Sequence, residues 1–139
     1  MCTTNNSQLP IVYACSGCSN LAQLANDLAL WLHQDGNAQM ASIAGVAGHV
    51  DTHLAILHSG RPVIALDGCY RGCVSQCLSQ EHVDPRWHVQ LDSCGIAAQA
   101  EGSCSLQETF AAMQYVCEHI GLVADEHFID HVKGPKSLP

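Results

Sequence analysis

Residues 10–34 read PIVYACSGCSNLAQLANDLALWLHQ, and the change of period inside this stretch decides the fold. Ile11-Val12-Tyr13-Ala14 is a short, unbroken apolar run, as expected of a strand buried on both faces. It stops at Cys15-Ser16-Gly17-Cys18. From Asn20 onward Leu21, Leu24, Ala25, Leu28 and Leu32 recur at helical spacing, with Asp27 and Gln34 off that stripe. Ser19 is placed to cap the helix and Gly36 to end it. A buried strand followed directly by an amphipathic helix is half of a βαβ unit.

The same alternation continues. Gln39 to Ile43 reads as a second strand, followed by the small-residue stretch Ala44-Gly45-Val46-Ala47-Gly48 and a short helix near Val50 to His58. Gly60-Arg61-Pro62 turns the chain into a third apolar strand, Val63-Ile64-Ala65-Leu66, which ends at Asp67-Gly68-Cys69. Cys73, Val74, Cys77 and Leu78 then suit a helix. Asp84-Pro85 is a turn, Trp87 to Leu91 a fourth strand, and residues 95–104 a loop. Ser105 and Glu108 form a capping-box signature for a helix carrying Phe110, Met113, Val116, Cys117 and Ile120, stopped by Gly121. A further short helix is expected near Asp125 to Val132. The expected architecture is a single α/β domain over residues 10–132, a doubly wound, mostly parallel sheet of about four strands with helices on both faces. Residues 1–9 are expected to form a disordered leader and 133–139 a flexible tail.

Composition narrows the function. Hydrophobic residues make up 47% of the chain and charged residues 13%, with a formal net charge of −8. A surface of that sign repels phosphate backbones, so no nucleic-acid partner is expected. No apolar run reaches the ~20 residues of a membrane span. Met1 to Gln8 lacks the basic and apolar regions of a secretory signal, so a cytoplasmic protein is expected. Nine cysteines, an odd number, argue against a disulfide framework in such a compartment and for metal ligands or reactive thiols.

Two cysteine pairs end strands on what must be one edge of a parallel sheet. Cys15 and Cys18 follow the first strand; Cys69 follows the third, and Cys73 lies four residues on, a spacing expected to put both on one helix face. Open parallel sheets bind their ligands at that edge. Four thiolates suit a tetrahedral zinc ion, with iron or an iron–sulfur cluster ranked behind it. Both pairs lie near expected helix N-termini, where the helix dipole favours thiolate. Ser16 could donate to a thiolate or cap the turn. Asp67 could accept amide hydrogen bonds, orient the site, or act as a base. Cys77 and Cys117 fall on apolar helix faces, and Cys94, at the end of the fourth strand, is a spare ligand. His49 and His53, like His127 and His131, share a spacing that can hold a metal but also marks an ordinary polar helix face.

Cys15-Ser16-Gly17, Ala44-Gly45-Val46 and Ile64-Ala65-Leu66-Asp67-Gly68-Cys69 with Cys73 together resemble the DGC-domain family, which is described as zinc-binding and named for its Asp-Gly-Cys motif. The likeness spans about residues 11–120. It implies a zinc site involving Cys15, Cys69 and Cys73, with the fourth thiolate from Cys18, Cys77 or Cys94. It names a metal and no reaction. Whether the chain is an enzyme stays open, as does any protein partner. A thiol-disulfide oxidoreductase using Cys15 and Cys18, or a metal-dependent enzyme with three cysteine ligands and an open position, are the competing readings.

Overall fold

The strands pair in the order β2-β1-β3-β4, and every pairing is parallel. The computed structural model describes residues 9–122. Its elements run β1 (Ile11–Ala14), α1 (Asn20–Gln34), β2 (Gln39–Met40), α2 (Ile43–Ala47), α3 (Asp51–Leu57), β3 (Val63–Asp67), α4 (Cys73–Gln80), β4 (Trp87–Gln90) and α5 (Leu106–Ile120). A 3₁₀ turn, Leu91–Cys94, follows β4. The expected leader, the tail and the helix near Asp125 to Val132 lie in whole or in part outside the described residues, and Cys2, His127 and His131 lie outside them altogether.

Strands buried on both faces need two covering layers, and the side-chain alternation sorts them. Val12, Ala14, Ile64, Leu66 and Val89 face α1 and α5, meeting Leu24, Leu28, Met113 and Val116. Ile11, Tyr13, Val63 and Ala65 face the opposite layer and meet Val46 of α2, Leu57 of α3 and Val74 and Leu78 of α4. From β1 the chain crosses through α1 to β2 at one edge. It then crosses back through α2 and α3 to β3 on the far side of β1. The direction of winding therefore reverses between β1 and β3, and a crevice opens at their carboxyl ends.

The local signals act as their chemistry predicts. Ser19 Oγ accepts from the Ala22 amide at 3.1 Å, and Gly36 leaves α1 with φ of 75°. Ser105 and Glu108 complete a reciprocal capping box, and Gly121 ends α5 at φ of 75°.

Three expectations need correction. β2 spans only two residues, because Ser42 Oγ accepts from the Gly45 amide at 3.0 Å and caps a helix over what read as strand and loop. Cys69 and Cys73 do not share a helix face: Cys69 precedes α4, Gly72 takes its N-cap position with φ of 61°, and Cys73 is its first residue. His49 and His53 do not pair along one helix, since α3 begins only at Asp51 and His49 sits before it with φ of 55°.

Candidate metal centre

Cys15, Cys73 and Cys77 line the crevice at the carboxyl ends of β1 and β3. The Cys15 amide donates to Leu66 O at 3.0 Å, so the β1–β3 ladder carries one step past the end of β1. The Gly68 amide then donates to Cys15 Sγ at 3.1 Å. A backbone N–H aimed at sulfur favours thiolate. Burial acts the other way and prevails: desolvation holds the Cys15 thiol above its ordinary value, the Gly68 amide lowers it, and the nearby charges of Asp67, Cys73 and Cys69 add to the rise.

Each residue of the Asp-Gly-Cys segment has a separate task. Asp67 is buried, with 1% of its surface exposed. Its Oδ1 accepts from the Val74 amide at 2.8 Å and its Oδ2 from the Ser75 amide at 3.3 Å, so it satisfies the first turn of α4 from the end of β3. This is the structural option read from the sequence. Gly68 passes against α1: a Cβ there would meet Leu21 C at 2.9 Å and Ala22 N at 3.0 Å, both backbone atoms that cannot yield. Cys69 follows at the half-buried rim. Exposed Tyr70 and Arg71 then lead into Gly72 and Cys73.

Cys15, Cys73 and Cys77 line one open cavity of about 230 Å³ together with Ile43, Ala44 and Ala47 of α2 and Val74. The cavity places three sulfurs around one space without gathering them at one point: among the described residues, no three His, Cys, Asp or Glu side chains stand ready at coordinating distance. The donor set nonetheless fits a soft or borderline cation. Exposed Cys73 and half-buried Cys77 sit one turn apart on α4, and Cys15 carries an amide hydrogen bond suited to thiolate.

The other sequence candidates fall elsewhere. Cys18 is exposed, and its thiol donates to Ala100 O at 3.5 Å, on the loop that follows β4. Cys94 donates to Leu91 O at 2.7 Å and packs on the α1–α5 side of the sheet, opposite the layer that holds Cys73 and Cys77. Cys117 is 1% exposed in that same core. Ser16 is exposed and lines the cavity beside Cys15.

Sequence reasoning missed His88. Its Nε2 lies 2.7 Å from Asp67 Oδ2, within hydrogen-bond distance. The signal lay in the register: β4 pairs His88 with Ala65, which puts its side chain on the face of Ala65 and Asp67. The walls from α2 were missed for the reason that α2 itself was.

A four-stranded parallel α/β domain with thiols at its topological switch is the class these features define. The chain belongs to the DGC domain family, whose model matches residues 11–116. It is 49% identical over 100 residues, 72% of this chain and 76% of the relative, to the anaerobic and virulence modulator AnvM of Pseudomonas aeruginosa. No solved structure matches the chain significantly. Among the described residues, no helix is long and apolar enough to cross a membrane.

Proposed function

We propose that this protein binds a metal ion, zinc before iron or an iron–sulfur cluster, through thiolates of Cys15, Cys69 and Cys73, completed by Cys77. Cys18 is the other candidate for the fourth place. The observation that carries the reading is the single cavity walled by Cys15, Cys73 and Cys77, with the Gly68 amide on the Cys15 sulfur. Cys77 is preferred to Cys18 because it lines that cavity, whereas the Cys18 thiol is engaged with Ala100.

Four thiolates would make a closed site, suited to structure, storage, sensing or delivery; three would leave a position open for Lewis-acid chemistry. Asp67 and His88 support the arrangement from outside it by fixing the first turn of α4, on which Cys73 stands. The name of AnvM ties that relative to anaerobic life and to virulence. A modulatory, oxidant-sensitive thiol centre suits such a setting, since oxidation of a thiolate removes a ligand. A reducing cytoplasm is the matching location, and none of the described cysteines is disulfide-bonded. A Cys15/Cys18 oxidoreductase is less well supported: attack on a disulfide needs a thiolate, and burial pushes the Cys15 thiol up.

The test is metal content, with an absorption spectrum, on protein purified without a histidine tag. Colourless protein holding zinc against a mild chelator is expected, with Cys15→Ser and Cys73→Ser losing it and Cys18→Ser keeping it. Brown protein with iron and sulfide would change the ion. Folded, metal-free protein that takes up no zinc, with every thiol open to titration, would overturn the reading.

A further inference from the structure

A second cluster of metal-ligating side chains lies where α2, α3 and α4 end, outside the thiol-lined cavity. Glu81 ends α4, and both of its carboxylate oxygens meet an imidazole: Oε1 is 3.1 Å from His49 Nδ1 and Oε2 is 3.6 Å from His58 Nε2. The Glu81 side chain is only 14% exposed, whereas His49 and His58 are 66% and 47% exposed. The carboxylate is thus largely withdrawn from water, and among the described residues these two imidazoles are its ionisable partners.

The backbone gives His49 no local reason to be there. It holds φ of 55° at the end of α2, a left-handed conformation that glycine takes freely and a side chain takes only at a cost. Its amide donates to Val46 O at 3.1 Å, and the Val50 amide donates to Gly45 O at 2.9 Å, which closes off the helix. His82, beside Glu81, takes the same conformation with φ of 57°, so what sets His49 apart is its ring against the Glu81 carboxylate.

The geometry points to a binding site for a divalent transition-metal ion, of the zinc, nickel or cobalt class, held by His49, His58 and Glu81. Two imidazoles and one carboxylate are an established zinc ligand set with a position left open. Bonds of about 2.1 Å at a tetrahedral angle separate neighbouring ligand atoms by about 3.4 Å. The observed 3.1 and 3.6 Å run to different oxygens of the carboxylate, so each imidazole already stands near one oxygen of the same ligand. The three groups do not yet surround a common point. Both imidazoles are exposed, and in this proposal they turn toward the ion to close the site. The ion would bring a positive charge onto the Glu81 carboxylate. It would also pin the α2–α3 turn and the end of α3 to α4. Glu81 lies eight positions beyond Cys73 on α4, a rise of about 12 Å, and none of His49, His58 and Glu81 lines the cavity that Cys15, Cys73 and Cys77 share.

The test is zinc binding by the untagged full chain, by calorimetry and equilibrium dialysis, repeated with cobalt to read the spectrum. Two separable equivalents are expected. The cobalt in this site gives only weak visible bands, whereas thiolate-bound cobalt adds an intense near-ultraviolet charge-transfer band. His58→Ala, Glu81→Gln and His49→Gly each lose the second equivalent and keep the thiolate band. His49→Gly is the decisive variant, because glycine relieves the left-handed residue and cannot unfold the turn. If all three variants bind zinc with the affinity and stoichiometry of the parent, the site does not exist. If Cys15→Ser and Cys73→Ser lose no metal while the histidine variants do, this site stands and the thiolate reading fails.

Discussion

The amide of Gly68 donates to the sulfur of Cys15 at 3.1 Å, a hydrogen bond between residues 53 positions apart in the chain. It is available because Gly68 runs against the backbone of α1, where a Cβ would stand 2.9 Å from Leu21 C. Gly68→Ala must therefore move β3 or α1. A loss of about 1–3 kcal/mol, the usual cost of overpacking, is expected in urea denaturation. Zinc retention should fall with it, because the amide shifts away from the sulfur. An alanine variant of parent stability would show that the close approach is unimportant.

Asp67 has three partners and almost no water, so its charge is held by the α4 amides and by His88. Asp67→Ala leaves two amides of a first helical turn without their acceptor, and a cost of about 2–4 kcal/mol is expected. His88→Ala removes one partner and leaves both amide bonds, so about 1 kcal/mol is expected. Hydrogen exchange at the Val74 and Ser75 amides checks the distinction: strong acceleration in the first variant and little in the second.

How much of this was legible beforehand depended on whether the signal was local. Ser19, Ser105, Glu108 and Gly121 mark helix ends by chemistry that acts within a turn, and they do so in the structure. The alternation of apolar runs marked four strands and the single edge on which Cys15, after β1, and Cys69, after β3, both lie, because a parallel sheet leaves little choice. Ile43 to Ala47 misread because its small apolar residues fit a strand and a helix alike, and one side-chain bond from Ser42 decided between them. Cys77 read as a residue of an apolar helix face and Cys94 as a spare ligand, although either could supply the fourth thiolate. Only the face of the sheet on which each landed separated them, and that follows from tertiary packing. The pairing of His88 with Asp67 needed a register that no single strand encodes.

Thiol reactivity should follow exposure and metal. Cys18 and Cys73 are exposed, while Cys117 is buried in the core. In metal-free protein, alkylation followed by peptide mass spectrometry should label Cys18 and Cys73 first and Cys117 last. Added zinc should protect Cys73 and Cys15 and leave Cys18 as reactive as before. Equal protection of Cys18 would move it into the ligand set in place of Cys77.

Alkaline pH should unfold the metal-free protein earlier than its composition alone requires. Burial holds the thiols of Cys15, Cys77, Cys94, Cys104 and Cys117 above their ordinary value, and it pushes the Tyr13 hydroxyl up to about 12. An acid whose pKa is raised by folding keeps its proton in the native state after the unfolded chain has lost it. Between the two values the unfolded chain binds fewer protons, so stability falls as pH rises. The contribution is whole below the unfolded thiol value of about 8.5 and disappears as pH climbs through the raised native values. Thermal denaturation from pH 7 to 10 should show a flat Tm that begins to drop above about 8.5. Cys117→Val removes a core thiol and keeps its apolar contacts, so the variant should show a shallower drop. Bound zinc should flatten the curve further, because ligated sulfurs no longer carry protons to lose. A Tm that rises over this range would mean that the native thiols are already ionised at neutral pH.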